Sequence, residues 1–149
     1  MILIDTSAWI EFLRDTGSPT CKEVDRLLTS DIATCDPVRM EVLAGARDEK
    51  HLRDLHGLLA RATVLPTDPV DYETAAILYR RCRRGGETVR KLIDCLIGAV
   101  ALRHGTPVLH RDTDFDVLAH LADVEVHRAD AGSGHGPTEP GQSREGTIS

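Results

Sequence analysis

The sequence predicts a three-layer α/β/α fold with a central parallel β-sheet. Short apolar runs of strand length alternate with longer segments in which apolar residues recur every three or four positions, the spacing of one helix face. Because helical segments separate the strands, the strands are expected to run parallel with helices on both faces of the sheet. The 149 residues are enough for one domain with its own core.

The first half of the chain contains three predicted strands and the helices between them. The strands are short apolar runs bounded by polar or turn-forming residues, at residues 2–4, 32–35 and 64–65. Apolar stripes predict helices at residues 8–13, 21–28, 36–46 and 52–59. Gly17 and Pro19 separate the first two helices. Asp36 is predicted to cap the third helix, with Pro37 in its first turn.

The second half continues the alternation with longer helices. Helices are predicted at residues 70–84, 89–104 and 115–121, and strands at residues 107–110 and 124–127. Gly85 and Gly86 end the first of these helices, and Gly105 is the glycine expected just beyond the second. From about residue 129 the chain becomes poor in apolar residues and rich in Gly, Pro and Ser. We therefore predict a folded domain at residues 1–128 and a disordered tail at residues 129–149.

Composition excludes several classes of protein. No apolar run is long enough to span a bilayer, and no signal peptide is predicted at the amino terminus. The four cysteines are widely spaced and are expected to be free thiols, which suits the reducing cytoplasm. A formal net charge of −6 is unlike that of a plain nucleic-acid-binding protein, which is usually basic.

Acidic side chains follow two of the predicted strands directly. Asp5 ends the first strand, and Asp112 and Asp114 follow the strand at residues 107–110. The carboxyl ends of parallel strands lie at one edge of a sheet, where ligands bind in folds of this class. These carboxylates are therefore expected to converge, although Asp5 alone has an equally good explanation as a helix cap.

Two further acids lie in predicted helices. Glu41 belongs to the helix after the second strand, where a single glutamate is usually solvated. Asp94 lies inside an apolar helix, where aspartate is a poor choice on propensity alone. Its neighbours Gly98 and Ala101 are small and are expected to leave room for a group larger than a side chain. Four or five carboxylates in one cleft repel one another unless they are protonated or bind a cation. All-oxygen ligation favours Mg²⁺ or Mn²⁺.

Four segments in this order resemble the PIN-domain ribonucleases, and most closely the VapC toxins of type II toxin–antitoxin systems. They are LIDTS at the start, Glu41 after the second strand, LIDCLIGA around Asp94 and HRDTDF near residue 112. The resemblance extends from residue 1 to about residue 128. It implies that the metal-binding and catalytic acids are Asp5, Glu41, Asp94, Asp112 and Asp114. His110 departs from the pattern, because many relatives have a small hydroxyl residue at this position.

The resemblance also implies an activity, a fold of the PIN type and partners. The expected reaction is Mg²⁺-dependent endonucleolytic cleavage of RNA, with Mn²⁺ as a possible substitute, in which a metal-activated water leaves 5′-phosphate and 3′-hydroxyl ends. The implied substrate is transfer RNA, with ribosomal RNA as the second choice. A cognate VapB-like antitoxin is expected to neutralise the protein, and a homodimer is expected. No membrane partner is implied.

Basic residues are concentrated just before the Asp94 helix. They are Arg80, Arg81, Arg83, Arg84, Arg90 and Lys91. As a group they are candidates for binding RNA phosphates, whereas any one of them alone is better explained as part of a solvated helix face. Once the five site acids are set aside, the rest of the chain is nearly neutral, so the acidic net charge does not argue against an RNA substrate.

Three other functions fit part of the pattern. A phosphotransferase of the haloacid-dehalogenase type also starts from a strand-end aspartate, but it requires a second aspartate where this chain has Ser7. A response-regulator receiver requires an acidic pair after the first strand and a late lysine, and neither is evident. A PIN-like module that binds RNA or a partner without cleavage is the third alternative, against which the complete set of acids argues.

Overall fold

The computed structural model describes residues 1–129. Five strands form one sheet: β1 (Ile2–Ile4), β2 (Ile32–Cys35), β3 (Thr63–Leu65), β4 (Val108–Leu109) and β5 (Val126–His127). Within these residues the helices are α1 (Thr6–Leu13), α2 (Pro19–Leu27), α3 (Asp36–Ala44), α4 (Glu49–Leu59), α5 (Pro69–Arg84), α6 (Leu92–Arg103) and α7 (Thr113–Leu121). Each predicted strand and helix is present, and the predicted α/β fold with a parallel sheet is confirmed.

The order of the strands in the sheet is β3-β2-β1-β4-β5, and every pairing is parallel. From β1 the chain builds outward through β2 to β3, and it then returns to the other side of β1 to add β4 and β5. Right-handed crossovers place the helices of these two halves on opposite faces. Accordingly α1 packs on α2 and α3, whereas α5, α6 and α7 pack on one another. The reversal of direction leaves a crevice between β1 and β4.

The core lies on both faces of the central strands. Leu3 and Ile4 of β1 and Leu109 of β4 are fully buried, as expected for strands that helices cover on both sides. Trp9 of α1 and Phe115 of α7 are the largest fully buried side chains. Since the two helices belong to different halves of the chain, these aromatic side chains contribute to both helical layers.

Several element boundaries differ from the predictions by up to three residues, including the start of α6, and the residue that caps α3 also differs. The helix predicted at residues 89–104 begins only at Leu92, because the backbone N–H groups of Arg90 and Lys91 donate to the Asp114 carboxylate instead of entering the helix. In α3 the cap position is Cys35, without a side-chain hydrogen bond, and Asp36 is the first helical residue. The negative charge of Asp36 still lies in the first turn, where it interacts favourably with the helix dipole.

A buried ion pair joins the two long helices of the second half. Asp71 in the first turn of α5 is buried, and Arg103 at the end of α6 donates to both of its carboxylate oxygens, from Nε at 2.8 Å and from Nη2 at 2.9 Å. Arg103 also donates to the carbonyl of Pro66, at the end of β3. Because the geometry is bidentate, this contact fixes the start of α5 against the end of α6.

The four cysteines are free, as predicted, and all four are buried. No helix among residues 1–129 is both long enough and apolar enough to cross a membrane. Apart from Ala129, the predicted tail at residues 129–149 lies outside the described residues.

Candidate metal centre

The crevice between β1 and β4 brings the strand-end acids together. Asp5 directly follows β1, and its backbone N–H donates to the carbonyl of Leu109 at the end of β4. Three residues after that carbonyl, Asp112 begins the turn into α7. The two strand ends are thus in direct contact at the edge where the sequence predicted them to meet.

Three carboxylates form the centre of the site. Asp94, Asp112 and Asp114 are buried, and each offers an oxygen within 4.8 Å of the others. Asp112 is also the cap of α7, because its Oδ1 accepts from the backbone N–H of Asp114 at 2.9 Å. Asp114 accepts from the backbone N–H groups of Arg90 and Lys91, both at 3.0 Å. Backbone donors therefore fix the two α7 acids, while α6 contributes Asp94 from its first turn.

Asp5 is the cap of α1, and its charge is close enough to Asp94 to raise the pKa of that acid, while its role as a metal ligand stays a prediction. Its Oδ2 accepts from the backbone N–H of Ser7 at 3.0 Å and from the Ser7 hydroxyl at 2.5 Å. The Ser7 hydroxyl in turn accepts from the backbone N–H of Arg111. Burial raises the pKa of Asp5 to about 6 in spite of these donors, and the charge of Glu41 acts in the same direction.

Glu41 is not one of the three clustered acids, and it is linked to Thr6, the residue after Asp5. The Thr6 hydroxyl donates to Glu41 Oε1 at 2.8 Å, and the glutamate is partly buried. Its charge is close enough to influence the pKa of Asp5. The structure thus places Glu41 beside Asp5, and its role as a metal ligand stays a prediction.

Asp94 is the most perturbed acid of the site. Burial, the charge of Asp5 and a hydrogen bond with Asp114 raise the pKa of Asp94 to about 8. The opposite holds for Asp112: burial acts to raise its pKa, but the hydrogen bond from Lys91 and the charges of Lys91 and Arg90 hold it below its usual range. Acids with such divergent pKa values in one cleft are typical of functional sites.

These residues fit a hard divalent cation. Among the described residues, Asp5 Oδ1 and Asp94 Oδ2 are buried carboxylate oxygens without a hydrogen-bond partner. Buried oxygens with unused lone pairs are costly unless a cation or a donor approaches them. The donor set consists of carboxylates alone, which Mg²⁺ and Mn²⁺ prefer over softer ligands.

Two basic residues at the site were only part of a larger predicted cluster. Lys91 Nζ lies 2.6 Å from Asp112 Oδ2, and Arg90 contacts Asp112 and Asp114 at 3.5 and 3.6 Å. The sequence feature that could have singled out Lys91 is its position three residues before Asp94, about one helical turn away. The other members of the cluster, Arg80, Arg81, Arg83 and Arg84, are exposed at the end of α5.

Two further expectations concern small or unusual residues. A Cβ on Gly98 would meet Val124 at 3.3 Å and Leu118 at 3.5 Å, so this glycine allows close packing of α6. The expectation that Gly98 leaves room for a ligand is therefore wrong. His110, the departure from the family pattern, packs against Phe115 and accepts from the backbone N–H of Asp112 through Nδ1 at 3.1 Å. It thus helps to shape the turn that carries Asp112.

The raised pKa of Asp94 predicts proton release on metal binding. At pH 7 a carboxyl with a pKa of about 8 holds its proton in most molecules, and a cation favours the ionised form. Addition of Mn²⁺ should therefore release about one proton per ion at pH 7, and progressively less as the pH approaches 9. Calorimetry in buffers of different ionisation enthalpy measures this number. A release that does not change between pH 7 and pH 9 would contradict the prediction.

Comparison with known proteins gives consistent matches. The family model described as PIN domain matches residues 2–121. Ribonuclease VapC11 of Mycobacterium tuberculosis is 48% identical over 130 residues, which cover 85% of this chain and 97% of that protein. Among solved structures, FitAB bound to the IR36 DNA fragment has a TM-score of 0.72 at 24% identity, covering 91% of this chain and all of the other. A toxin–antitoxin complex from Klebsiella pneumoniae has a TM-score of 0.65 at 21% identity, covering 83% of this chain and 95% of the other.

Proposed function

Because the chain belongs to the PIN-domain family, and within it to the VapC ribonuclease toxins, we propose that it is a Mg²⁺-dependent endoribonuclease whose substrate is transfer RNA. The observation that carries the proposal is the buried centre of Asp94, Asp112 and Asp114 at the crevice between β1 and β4. Membership of this family rules out the alternatives of a haloacid-dehalogenase-type phosphotransferase and a response-regulator receiver.

We infer that Asp94, Asp112, Asp114 and Asp5 hold the cation, with Glu41 acting through Asp5 or as a further ligand. Mg²⁺ held there would supply Lewis acidity, a water of lowered pKa and neutralisation of the phosphate charge. The expected products carry 5′-phosphate and 3′-hydroxyl ends. The protein's part is to hold its acids in place before the RNA arrives: Ser7 fixes one oxygen of Asp5, and two backbone N–H groups fix Asp114. Preorganised ligands of this kind require little rearrangement when substrate binds.

Basic side chains at the margin of the site suit an RNA backbone. Arg90 lies over Asp112 and Asp114 with its side chain largely exposed, and Arg111 is exposed just before Asp112. Guanidinium groups bind phosphates in two-point contacts. With only 3% aromatic residues, the chain has little capacity for stacking on bases, so phosphate contacts and RNA shape are expected to dominate.

The test is to map the 5′ ends of cellular RNA after expression of the protein without antitoxin. New 5′-phosphate ends in one or a few transfer RNAs, absent with Asp94→Asn, are the expected result. If the new ends were confined to ribosomal RNA, the proposed ribonuclease activity would stand and the substrate would be ribosomal RNA instead of transfer RNA. If wild type and Asp94→Asn gave the same ends, the proposed activity would be wrong, and a PIN-like binding module without cleavage would be the better explanation.

A groove next to the site suits the antitoxin. It has a volume of about 340 Å³ and lies among α1, α3 and α4, with Ile10, Leu13 and Leu55 on its apolar side. Ile10 and Leu13 are more than one third exposed, and because both line the groove they form an exposed apolar patch there. Thr6 and Glu41 also line this groove, so an occupant would lie beside the acidic site. The Klebsiella relative was solved as a toxin–antitoxin complex, which supports an antitoxin as this occupant. The apolar side chains of the groove suit an apolar antitoxin segment.

The substitution Leu13→Glu is expected to weaken antitoxin binding by about 100-fold, because a carboxylate would be desolvated in an apolar contact. RNA cleavage should be unchanged, since Leu13 lies at the far end of α1 from Asp5. Growth during co-expression with the antitoxin, together with calorimetry of the purified pair, measures the effect. Val70→Glu on α5, where the valine is half exposed, is the matched control. If the antitoxin restored growth equally well in cells that express Leu13→Glu and in cells that express wild type, the antitoxin would bind another surface.

A further inference from the structure

Lys91 occupies an unusual position for a basic residue. Its ammonium lies 2.6 Å from Asp112 Oδ2 and 3.8 Å from Asp94 Oδ2, so one cation contacts two of the three acids of the centre. The backbone N–H of the same residue donates to the third acid, Asp114. Side chain and backbone of a single residue thus reach all three carboxylates.

We propose that the Lys91 ammonium is the counter-cation of the acid cluster in the metal-free protein, an inference that rests on the metal site of the proposed function. The ammonium competes with the divalent ion for the carboxylate oxygens. Once displaced, it contacts an RNA phosphate. The first step is electrostatic. Three buried carboxylates within 4.8 Å repel one another, and an ammonium among them relieves that repulsion without protonation of all three.

The geometry allows this side chain to leave while its backbone stays. The Lys91 side chain is about half exposed, so its flexible stem has solvent on one side. The hydrogen bond from its N–H to Asp114 and the start of α6 at the next residue hold the backbone in place. A divalent ion that takes the oxygens of Asp94 and Asp112 would therefore move the ammonium outward and leave it at the mouth of the site.

Arg90 differs from Lys91 in each of these respects. Its guanidinium contacts Asp112 and Asp114 at 3.5 and 3.6 Å, and its side chain is 69% exposed. No contact joins Arg90 to Asp94 among the ion pairs of residues 1–129. Arg90 therefore lies at the margin of the site, and it serves as a control of equal charge at the position just before Lys91.

The competition has a thermodynamic consequence. If an RNA phosphate binds the displaced ammonium, RNA binding removes the competitor of the metal and raises the affinity for the metal. By linkage, the metal raises the affinity for RNA by the same factor. Without the ammonium this part of the coupling disappears.

The experiment measures Mn²⁺ affinity by calorimetry in wild type, Lys91→Met and Arg90→Met, with and without a non-cleavable phosphorothioate RNA. Lys91→Met is expected to bind Mn²⁺ at least about tenfold more tightly than wild type, because a nearby positive charge is gone. Arg90→Met should change the affinity by less than about threefold, since its charge is more exposed. RNA should increase the Mn²⁺ affinity of wild type by a larger factor than that of Lys91→Met, and an equal factor in the two proteins would contradict the displacement of the ammonium by RNA.

An unchanged or weakened Mn²⁺ affinity in Lys91→Met would overturn the inference and make Lys91 a residue that positions Asp112. If the variant does not fold, the wild type decides the question through ¹³C-dimethylated lysines observed by NMR. This experiment uses Mg²⁺ in place of Mn²⁺ because Mg²⁺ is diamagnetic. Addition of Mg²⁺ to the metal-free protein should shift the Lys91 resonance to that of a solvated lysine, with Lys22 and Lys50 as references. If Mg²⁺ binds but the Lys91 resonance does not move, the inference about Lys91 is wrong and the proposed metal site still stands. If wild type binds neither ion, the proposed metal site is wrong as well.

Discussion

Asp94→Asn is expected to abolish most RNA cleavage while making the metal-free protein more stable. The amide keeps the size of the side chain but removes one carboxylate charge, that of a proposed metal ligand, from the centre with Asp112 and Asp114. Loss of residues that merely support metal ligands typically costs 10- to 100-fold, so loss of a ligand should lower the rate by more than about 100-fold. Initial rates of cleavage of a labelled RNA at limiting Mg²⁺ measure this effect.

The gain in stability follows from the sign of the pKa shift. The native pKa of Asp94 is about 8, above its ordinary value of 3.8. Between these values the unfolded chain is ionised while the native carboxyl holds a proton, so the free energy of unfolding falls as the pH rises from about 4 to 8. The asparagine lacks this penalty. In chelator, Asp94→Asn should therefore melt several degrees above wild type at pH 8 and nearly level with it at pH 4.

Asp116→Asn provides the control for both measurements, because its side chain is largely exposed and it lies in the same helix as Asp114. It should alter neither the cleavage rate nor the pH dependence of melting appreciably. Cleavage by Asp94→Asn at the wild-type rate would show that the site is elsewhere. An unchanged melting temperature at pH 8 would show that Asp94 is ionised in the metal-free protein.

Arg103→Met is expected to be the most destabilising of the changes considered for the scaffold. Asp71 is only 1% exposed and its two carboxylate oxygens accept from Arg103 at 2.8 and 2.9 Å. Removal of the guanidinium leaves a buried charge without its partner, which costs about 3 kcal/mol of unfolding free energy. For a chain of this size the melting temperature should fall by about 10 °C. Thermal and urea denaturation measure the two quantities.

A second substitution separates the buried charge from the lost packing. Asp71 also accepts from the backbone N–H of Asp68 at 2.8 Å, and Asn keeps this acceptor without the charge. Arg103→Met with Asp71→Asn should therefore be more stable than Arg103→Met alone. Lys50→Met removes an exposed ion pair with Asp54 and should cost less than about 0.5 kcal/mol. If Arg103→Met and Lys50→Met were equally mild, the ion pair would contribute nothing beyond a surface contact.

Much of the site follows from local features of the sequence. Asp5 directly follows an apolar strand and precedes a helix, and Asp112 lies three residues after the end of β4 and directly before α7. A polar residue in such a place is a cap, and in a parallel sheet it is also at the ligand-binding edge. Because the alternation of strands and helices predicts parallel strands, both acids were expected at the same edge of the sheet without coordinates.

Other features depend on how the helices rotate and pack, which periodicity does not specify. The sequence counted Lys91 as one of six basic residues, yet its ammonium lies between Asp112 and Asp94 because α6 begins late and Asp114 holds the preceding backbone. Gly98 was predicted to leave room for a ligand, but it faces Val124 and Leu118, since α6 is buried on nearly all sides.

The sequence by itself determined the order of strands and helices and the acids at the carboxyl edge of the sheet, since both follow from interactions between near neighbours in the chain. The tertiary structure decided which charges meet. Distances between Asp94 on α6, Asp114 on α7 and Asp5 after β1 depend on the crossover between the two halves, and carboxylates interact strongly only within a few ångströms in a buried site. A shift of one helix by a single turn would keep every sequence pattern and separate the acids.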